Sequence, residues 1–322
     1  MSTTKRYRNT AYDDAFRTVE QECPEALIYF VNEMFGENYG NTAIIEHLRN
    51  EHYVQNKGEA TEKRICDSHI RITTDSKISN YHLECESSGY SDSILVRIFQ
   101  YAIDHAIKDS EEVHNKLTVR IPASGLLILR NKGNPPKHMT FEITTPNGSI
   151  SYDAPVICMK GYSLDDIFAK RMYFILPFYF FNFEDRFILY NKDAESLKEF
   201  EEIYCEVIER LQNVDEVNLS LRSKGVIIKQ MENVVKRLAY RRKRITEKVG
   251  DIMGGKVLKM EWLEKFDAAV AEGKAEGGDI RDAERISDML RRGKTVDEIV
   301  DFCGYPVELV KKVEESMLAA TN

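Results

Sequence analysis

The chain has 322 residues, 43% of them hydrophobic and 30% charged, with a formal net charge of -8. This composition excludes collagenous, mucin-like and fully disordered proteins, and the length suits one large or two ordinary domains with a self-supporting core. The acidic balance excludes a protein that coats nucleic acid through overall basicity, while leaving room for a local basic site.

From Tyr12 to Phe35 apolar residues recur at helical spacing (Phe16, Val19, Leu27, Phe30, Val31, Met34), with a break at Pro24 and a stop at Gly36. Runs of β character follow at Thr42 to Leu48, Arg64 to Thr73 and Tyr81 to Glu86, which predicts a three-stranded meander. Ser91 to Lys108 reads as an amphipathic helix. Gly125 to Arg130 is a continuous apolar run of the kind a buried strand shows, and Met139 to Thr144 with Ile150 to Met159 predicts a hairpin around Pro146-Asn147-Gly148. The order helix, three strands, helix, strand predicts an α/β fold with a mixed central sheet flanked by helices.

Everything after residue 163 reads as helical. The apolar stretch Tyr173 to Phe183 is about half the length that spans a bilayer and is expected in the core, so no membrane partner is expected. Ala194 to Leu211 and Leu219 to Arg244 are long periodic segments, residues 268 to 280 read as a mobile linker, and residues 281 to 322 outline a small helix-turn-helix-like tail. That tail mixes Glu and Lys and shows no basic recognition surface, which favours a packing cap over a recognition unit. The six cysteines include no CxxC pair, and the N-terminus opens on polar residues; both point to a reduced, cytoplasmic protein without a zinc module.

The residues with chemical potential are Asp67, in Arg64-Ile-Cys-Asp-Ser-His, and Glu84 and Glu86, in Tyr81-His-Leu-Glu-Cys-Glu. Alternation on a strand puts Glu84 and Glu86 on one face and Cys85 on the other. A hairpin turning at Asp75 and Ser76 would pair residue 67 with residue 84. Two carboxylates so opposed, with Cβ atoms about 5 Å apart, repel unless one is protonated or a cation lies between them. Hard oxygen ligands suit Mg²⁺ or Mn²⁺, whose natural chemistry here is phosphodiester hydrolysis. The alternative is that these acids decorate a solvated sheet face, and a one-residue slip would turn Asp67 over.

The arrangement Asp14-Ala-Phe16, Asp67, Glu84-x-Glu86 and Arg97-x-x-x-Tyr101 resembles the PD-(D/E)xK nuclease superfamily, and within it the Rpn family of recombination-promoting nucleases and putative transposases. The resemblance covers about residues 10 to 190, followed by a helical extension over 191 to 267. It implies a restriction-endonuclease-like sheet with a mainly helical C-terminal region, and Mg²⁺ (or Mn²⁺) held by Asp67, Glu84 and the backbone carbonyl of Cys85. It also implies a helper acid in the first helix, Asp14 or else Glu20. The sequence departs from the pattern at Glu86, where the superfamily usually has Lys and this branch often Gln. Glu86 would act as a further ligand or a general base, with Arg97 or Gln100 as a compensating residue.

The implied partner is DNA, and a double-strand cut is compatible with a homodimer. Lys236, Arg237, Arg241, Arg242, Lys243 and Arg244, with Tyr240 among them, form the densest basic cluster. This cluster, together with Arg97, is the candidate DNA contact, against the alternative of a solvated helix face. Cys85 reads as a small core residue, and His69 as either a phosphate contact or a surface or core hydrogen-bonding residue. The expected function is a Mg²⁺-dependent DNA endonuclease; the alternative is a nuclease-derived module that binds DNA or protein without cutting.

Overall fold

A computed structural model of the chain describes residues 10–40, 42–48, 51–54, 62–65, 67–91 and 93–257, with 295, 296, 307, 310 and 311. The chain divides into two compact units, residues 1–259 and 260–322. The expected linker and tail lie outside the described residues, those last five apart.

In chain order the elements are Thr10–Glu22 (α1), Pro24–Phe35 (α2), Ile44–His47 (β1), Glu51–Val54 (β2), Glu62–Ile65 (β3), Ser68–Thr73 (β4) and Ile78–Glu86 (β5). Ser93–Lys108 (α3), Glu111–Val113 (β6), Lys116–Thr118 (β7), Ala123–Ile128 (β8), His138–Thr145 (β9) and Gly148–Cys158 (β10) follow. Then come Leu164–Ala169 (α4), a 3₁₀-helical segment at Tyr173–Arg186, Phe187–Lys192 (α5), Ala194–Gln212 (α6), Leu221–Leu238 (α7) and Lys243–Met253 (α8).

Pro24 opens α2 at the one place where its missing N–H breaks no helical bond. Gly36, at φ 67°, closes α2 in the left-handed conformation and donates its N–H to the carbonyl of Asn32. The fold is mixed α/β, with a six-stranded sheet in the order β1-β4-β5-β8-β10-β9. β5, β8 and β10 run parallel, and the outer pairings β1/β4, β4/β5 and β9/β10 are antiparallel. The turn after β4 closes with Thr74 N–H on the carbonyl of Lys77 at 2.8 Å. It is therefore centred on Asp75 and Ser76, and β4 and β5 pair Ser68 with Leu83 and His69 with His82. One more step of that register sets Asp67 opposite Glu84.

The expected strand over residues 64 to 73 is two strands. β3 pairs with β2 in a separate hairpin, and β4 begins after a bend at Asp67. The Asp67 carboxylate itself accepts the N–H of Cys85 at 2.9 Å, so a side chain satisfies a donor at the strand end and the ladder stops there. The small hairpin β6/β7 had no signal in the periodicity.

Helix α3 covers one face of the sheet, where Ile94 and Ile98 pack with Leu126, Ile128, Met139, Phe141 and Ala154. Helix α2 covers the other face so closely that a Cβ on Gly125 would lie 2.2 Å from Sδ of Met34. Tyr173–Arg186 is core, as its composition suggests: Phe174 lies 5.1 Å from Phe16 and 4.7 Å from Phe30, ring centre to ring centre. Phe180 packs on Phe200 and Tyr204 of α6. The helix expected over Leu219 to Arg244 breaks at Ala239–Arg242. α8 is anchored separately on α5, with Arg244 N–H on Asn191 Oδ1 at 3.1 Å and its guanidinium on the Lys192 carbonyl at 2.8 Å. No helix of the described residues is long and apolar enough to cross a membrane.

Candidate active site

The first residues of β4 and the last of β5 carry the acids together. Asp67 is 9% exposed and Glu84 3%. Two bonds cross between Asp67 and the end of β5. Asp67 N–H donates to Glu84 Oε1 at 3.2 Å, and Asp67 Oδ2 accepts from Cys85 N–H at 2.9 Å. The next strand residue on the same face, Glu86, accepts the N–H of Ser88 at 2.9 Å and the Ser88 hydroxyl.

Two arginines flank the acids. Arg97, one turn into α3, places Nη2 3.1 Å from Glu86 Oε2 and Nε 3.3 Å from Glu84 Oε2; the second contact is an ion pair without hydrogen-bond alignment. Arg17 of α1 reaches Asp67 Oδ1 at 3.5 Å. Behind Glu84 stands buried His82, whose Nε2 is 3.2 Å from Glu84 Oε1 and whose Nδ1 is 3.3 Å from the Ser124 hydroxyl. Donation from Nε2 to the carboxylate and acceptance at Nδ1 from Ser124 satisfy both ring nitrogens in the neutral form.

The electrostatics separate the acids. Burial, and then the Glu84 carboxylate, push the Asp67 carboxyl up to about 8, against the partial relief of the Cys85 N–H and Arg17. Burial would raise Glu86 too, but the Ser88 bonds and the Arg97 guanidinium outweigh it and hold that carboxyl below its usual range. Burial keeps the Cys85 thiol protonated, which makes it a core residue and not a nucleophile.

Among the described residues Asp14, the first-choice helper acid of α1, shows no contact with the acids. It sits on the exposed face of the helix, while the charge of its neighbour Asp13 acts on Asp67. Asp13, Arg17 and Glu20 recur at the four- and three-residue steps that share a helix face, a spacing that could have singled them out. Glu20 joins the end of β1 to the start of β4, accepting from the Ser68 hydroxyl at 2.7 Å and lying 2.8 Å from Nδ1 of His47. His69 is a packing residue, its ring 3.6 Å from that of His105 under α3. His82 and Ser88 were missed because only the fold shows them bonded to the acids.

The basic cluster is divided by the break between α7 and α8. Arg242 donates to the carbonyl of Leu238 at 3.1 Å, Arg244 to those of Asn191 and Lys192, and Lys236 pairs with Glu232 at 2.6 Å. These three are not free phosphate contacts. Arg237, Arg241 and Lys243 are exposed.

Among the described residues no group of three His, Cys, Asp or Glu side chains converges as a metal site. The donor chemistry of the acidic end still suits one hard divalent cation. Asp67, Glu84 and Glu86 lie together beside Arg17 and Arg97, and the Asp67 carboxyl is raised first by burial and then by the Glu84 charge. Asp67 and Glu84 would supply two oxygen ligands, and water and phosphate the remainder. Comparison of the chain with protein-family models, with curated proteins and with solved structures returns no match.

Proposed function

We propose that the protein is a DNA phosphodiester hydrolase of the recombination-promoting, transposase-associated kind, working with Mg²⁺ or Mn²⁺ on a restriction-endonuclease-like sheet. The observation that carries this reading is the Asp67–Glu84 pair: two buried carboxylates at adjoining strand ends, tied by the Asp67 N–H on Glu84 at 3.2 Å and the Cys85 N–H on Asp67 at 2.9 Å, with an arginine on either side.

When bound, the cation supplies Lewis acidity toward a phosphoryl oxygen and makes a water acidic enough to attack at neutral pH. The protein's own groups do the rest. Asp67 and Glu84 fix the cation, and His82 holds Glu84 in orientation. Glu86, kept ionised by Ser88 and Arg97, accepts the proton of the attacking water. Arg97 and Arg17, each about one-third exposed at the rim of the acids, meet the charge that builds on the phosphate.

A second reading, a nuclease-derived module that binds without cutting, is favoured by Glu86 standing where a lysine is usual and by its guanidinium bridge to Glu84. Nicking of supercoiled plasmid by wild type and Asp67→Ala, with Mg²⁺, Mn²⁺ or EDTA, separates the two after circular dichroism shows both folded. Metal-dependent nicking by wild type alone supports the hydrolase; silence from both supports the binding module.

A further inference from the structure

We infer that the turn between α7 and α8 is a docking point for an unpaired base of a DNA strand, with Tyr240 as the stacking surface and Arg237, Arg241 and Lys243 as its phosphate contacts. This rests on the DNA-directed reading of the acidic site and names the strand feature that the protein would engage.

The first observation is exposure. Tyr240 is 60% exposed and is the only aromatic among the exposed large apolar side chains of the described residues, although Leu238 and Ala239 beside it are buried. The turn is rigid. Ala239 N–H bonds the carbonyl of Val235 at 2.8 Å, Arg242 N–H that of Ala239 at 2.8 Å, and Arg242 Nη1 that of Leu238 at 3.1 Å. Arg241 sits at φ 66°, a left-handed conformation that glycine would adopt without strain. A fixed turn therefore presents an apolar ring to solvent, and a strained backbone keeps a guanidinium beside it.

The second observation is the chemistry around the ring. The Arg241 guanidinium lies 5.2 Å from the ring centre and that of Arg237 5.8 Å. Exposed cation–π contacts at such distances are weaker than the stacking of a base on an aromatic ring, so a base can displace or extend them. A planar π surface between guanidinium groups matches a base between phosphates. Inside a duplex each base face is covered by its neighbours, so away from the ends only an unpaired base offers a face to Tyr240. Glu247, one turn into α8, is the exposed acid nearest in sequence, against three exposed cations.

The third observation is position. Helix α7, which ends at this turn, packs on α1, and α1 carries Arg17, 3.5 Å from Asp67. The basic turn and the acid pair are thus joined through one helix.

The test is fluorescence anisotropy in EDTA, where no cutting occurs, with labelled oligothymidylate, a blunt duplex, the same duplex carrying one unpaired bulged base, and an oligouridylate. Wild type is expected to bind the single strand and the bulged duplex about tenfold more tightly than the blunt duplex. Tyr240→Ala should lose about tenfold on the first two and little on the last, while Tyr240→Phe keeps the preference. Equal affinity for blunt and bulged duplexes, or an unaffected Tyr240→Ala, overturns the inference. Tighter binding of oligouridylate than of oligothymidylate overturns its assignment to DNA. Failure of the hydrolase reading shows up as absent nicking and leaves the anisotropy preference intact, so the two failures are distinguishable.

Discussion

Replacing Asp67 by asparagine is expected to stabilise the metal-free protein. The asparagine oxygen can still accept the Cys85 N–H, at the loss of the long Arg17 contact on the other oxygen, whereas the aspartate is pushed from 3.8 to about 8 by burial and then by the Glu84 charge. The folded chain thus holds a proton that the unfolded chain has released. Relative to its value below about pH 4, the stability contributed by this group falls as pH rises and is lost above about pH 8. At about 1.4 kcal/mol per pKa unit, full ionisation carries an upper bound of about 6 kcal/mol. Hydration and relaxation at the start of β4 reduce that, and the variant should gain about 1–3 kcal/mol at about pH 8, narrowing toward pH 4. Urea unfolding in EDTA across this range reads the difference. Free Mn²⁺ at about a hundred times its Kd should then add about 2.7 kcal/mol to wild type and far less to the variant. A variant no more stable than wild type at about pH 8, or a gain that does not change with pH, refutes the reasoning.

Arg97→Gln removes the guanidinium shared by Glu84 and Glu86; it should tighten Mn²⁺ binding about tenfold by titration calorimetry while lowering stability by about 1–2 kcal/mol, and an unchanged affinity would show that Arg97 does not compete with a cation. Gly125→Ala drives a methyl to 2.2 Å from Met34 Sδ and should cost about 1–3 kcal/mol in thermal unfolding, whereas an unaltered Tm would mean that α2 yields freely. Cys23, buried and pushed up to about 12 with its thiol on the Ser223 carbonyl, should resist iodoacetamide in the folded protein and react in urea. Native-state labelling would show the α1–α2 junction to be open.

Local features settled much of this molecule before any tertiary information. Pro24 and Gly36 delimit α2, and the apolar run at Gly125 belongs to a buried strand. The count outward from Asp75 and Ser76 gives the β4/β5 register, because side-chain alternation and turn geometry are local properties. The sequence therefore already put Asp67 across from Glu84.

It did not show that the strand breaks at Asp67, or that the basic run turns at Arg241. Each break is fixed by bonds from distant residues: the Cys85 N–H in one case, Asn191 and Lys192 in the other. Periodicity carries no record of such partners. Nor did it show which acid of α1 matters, since Asp13 and Asp14 differ by one step of helix rotation and only the packing of α1 on the sheet selects between them. What tertiary structure alone decided is the environment of the acids. Burial, with Arg17 and Arg97 beside the acids, raises the Asp67 carboxyl while Ser88 and Arg97 hold that of Glu86 low, because the cost of a charge depends on what surrounds it.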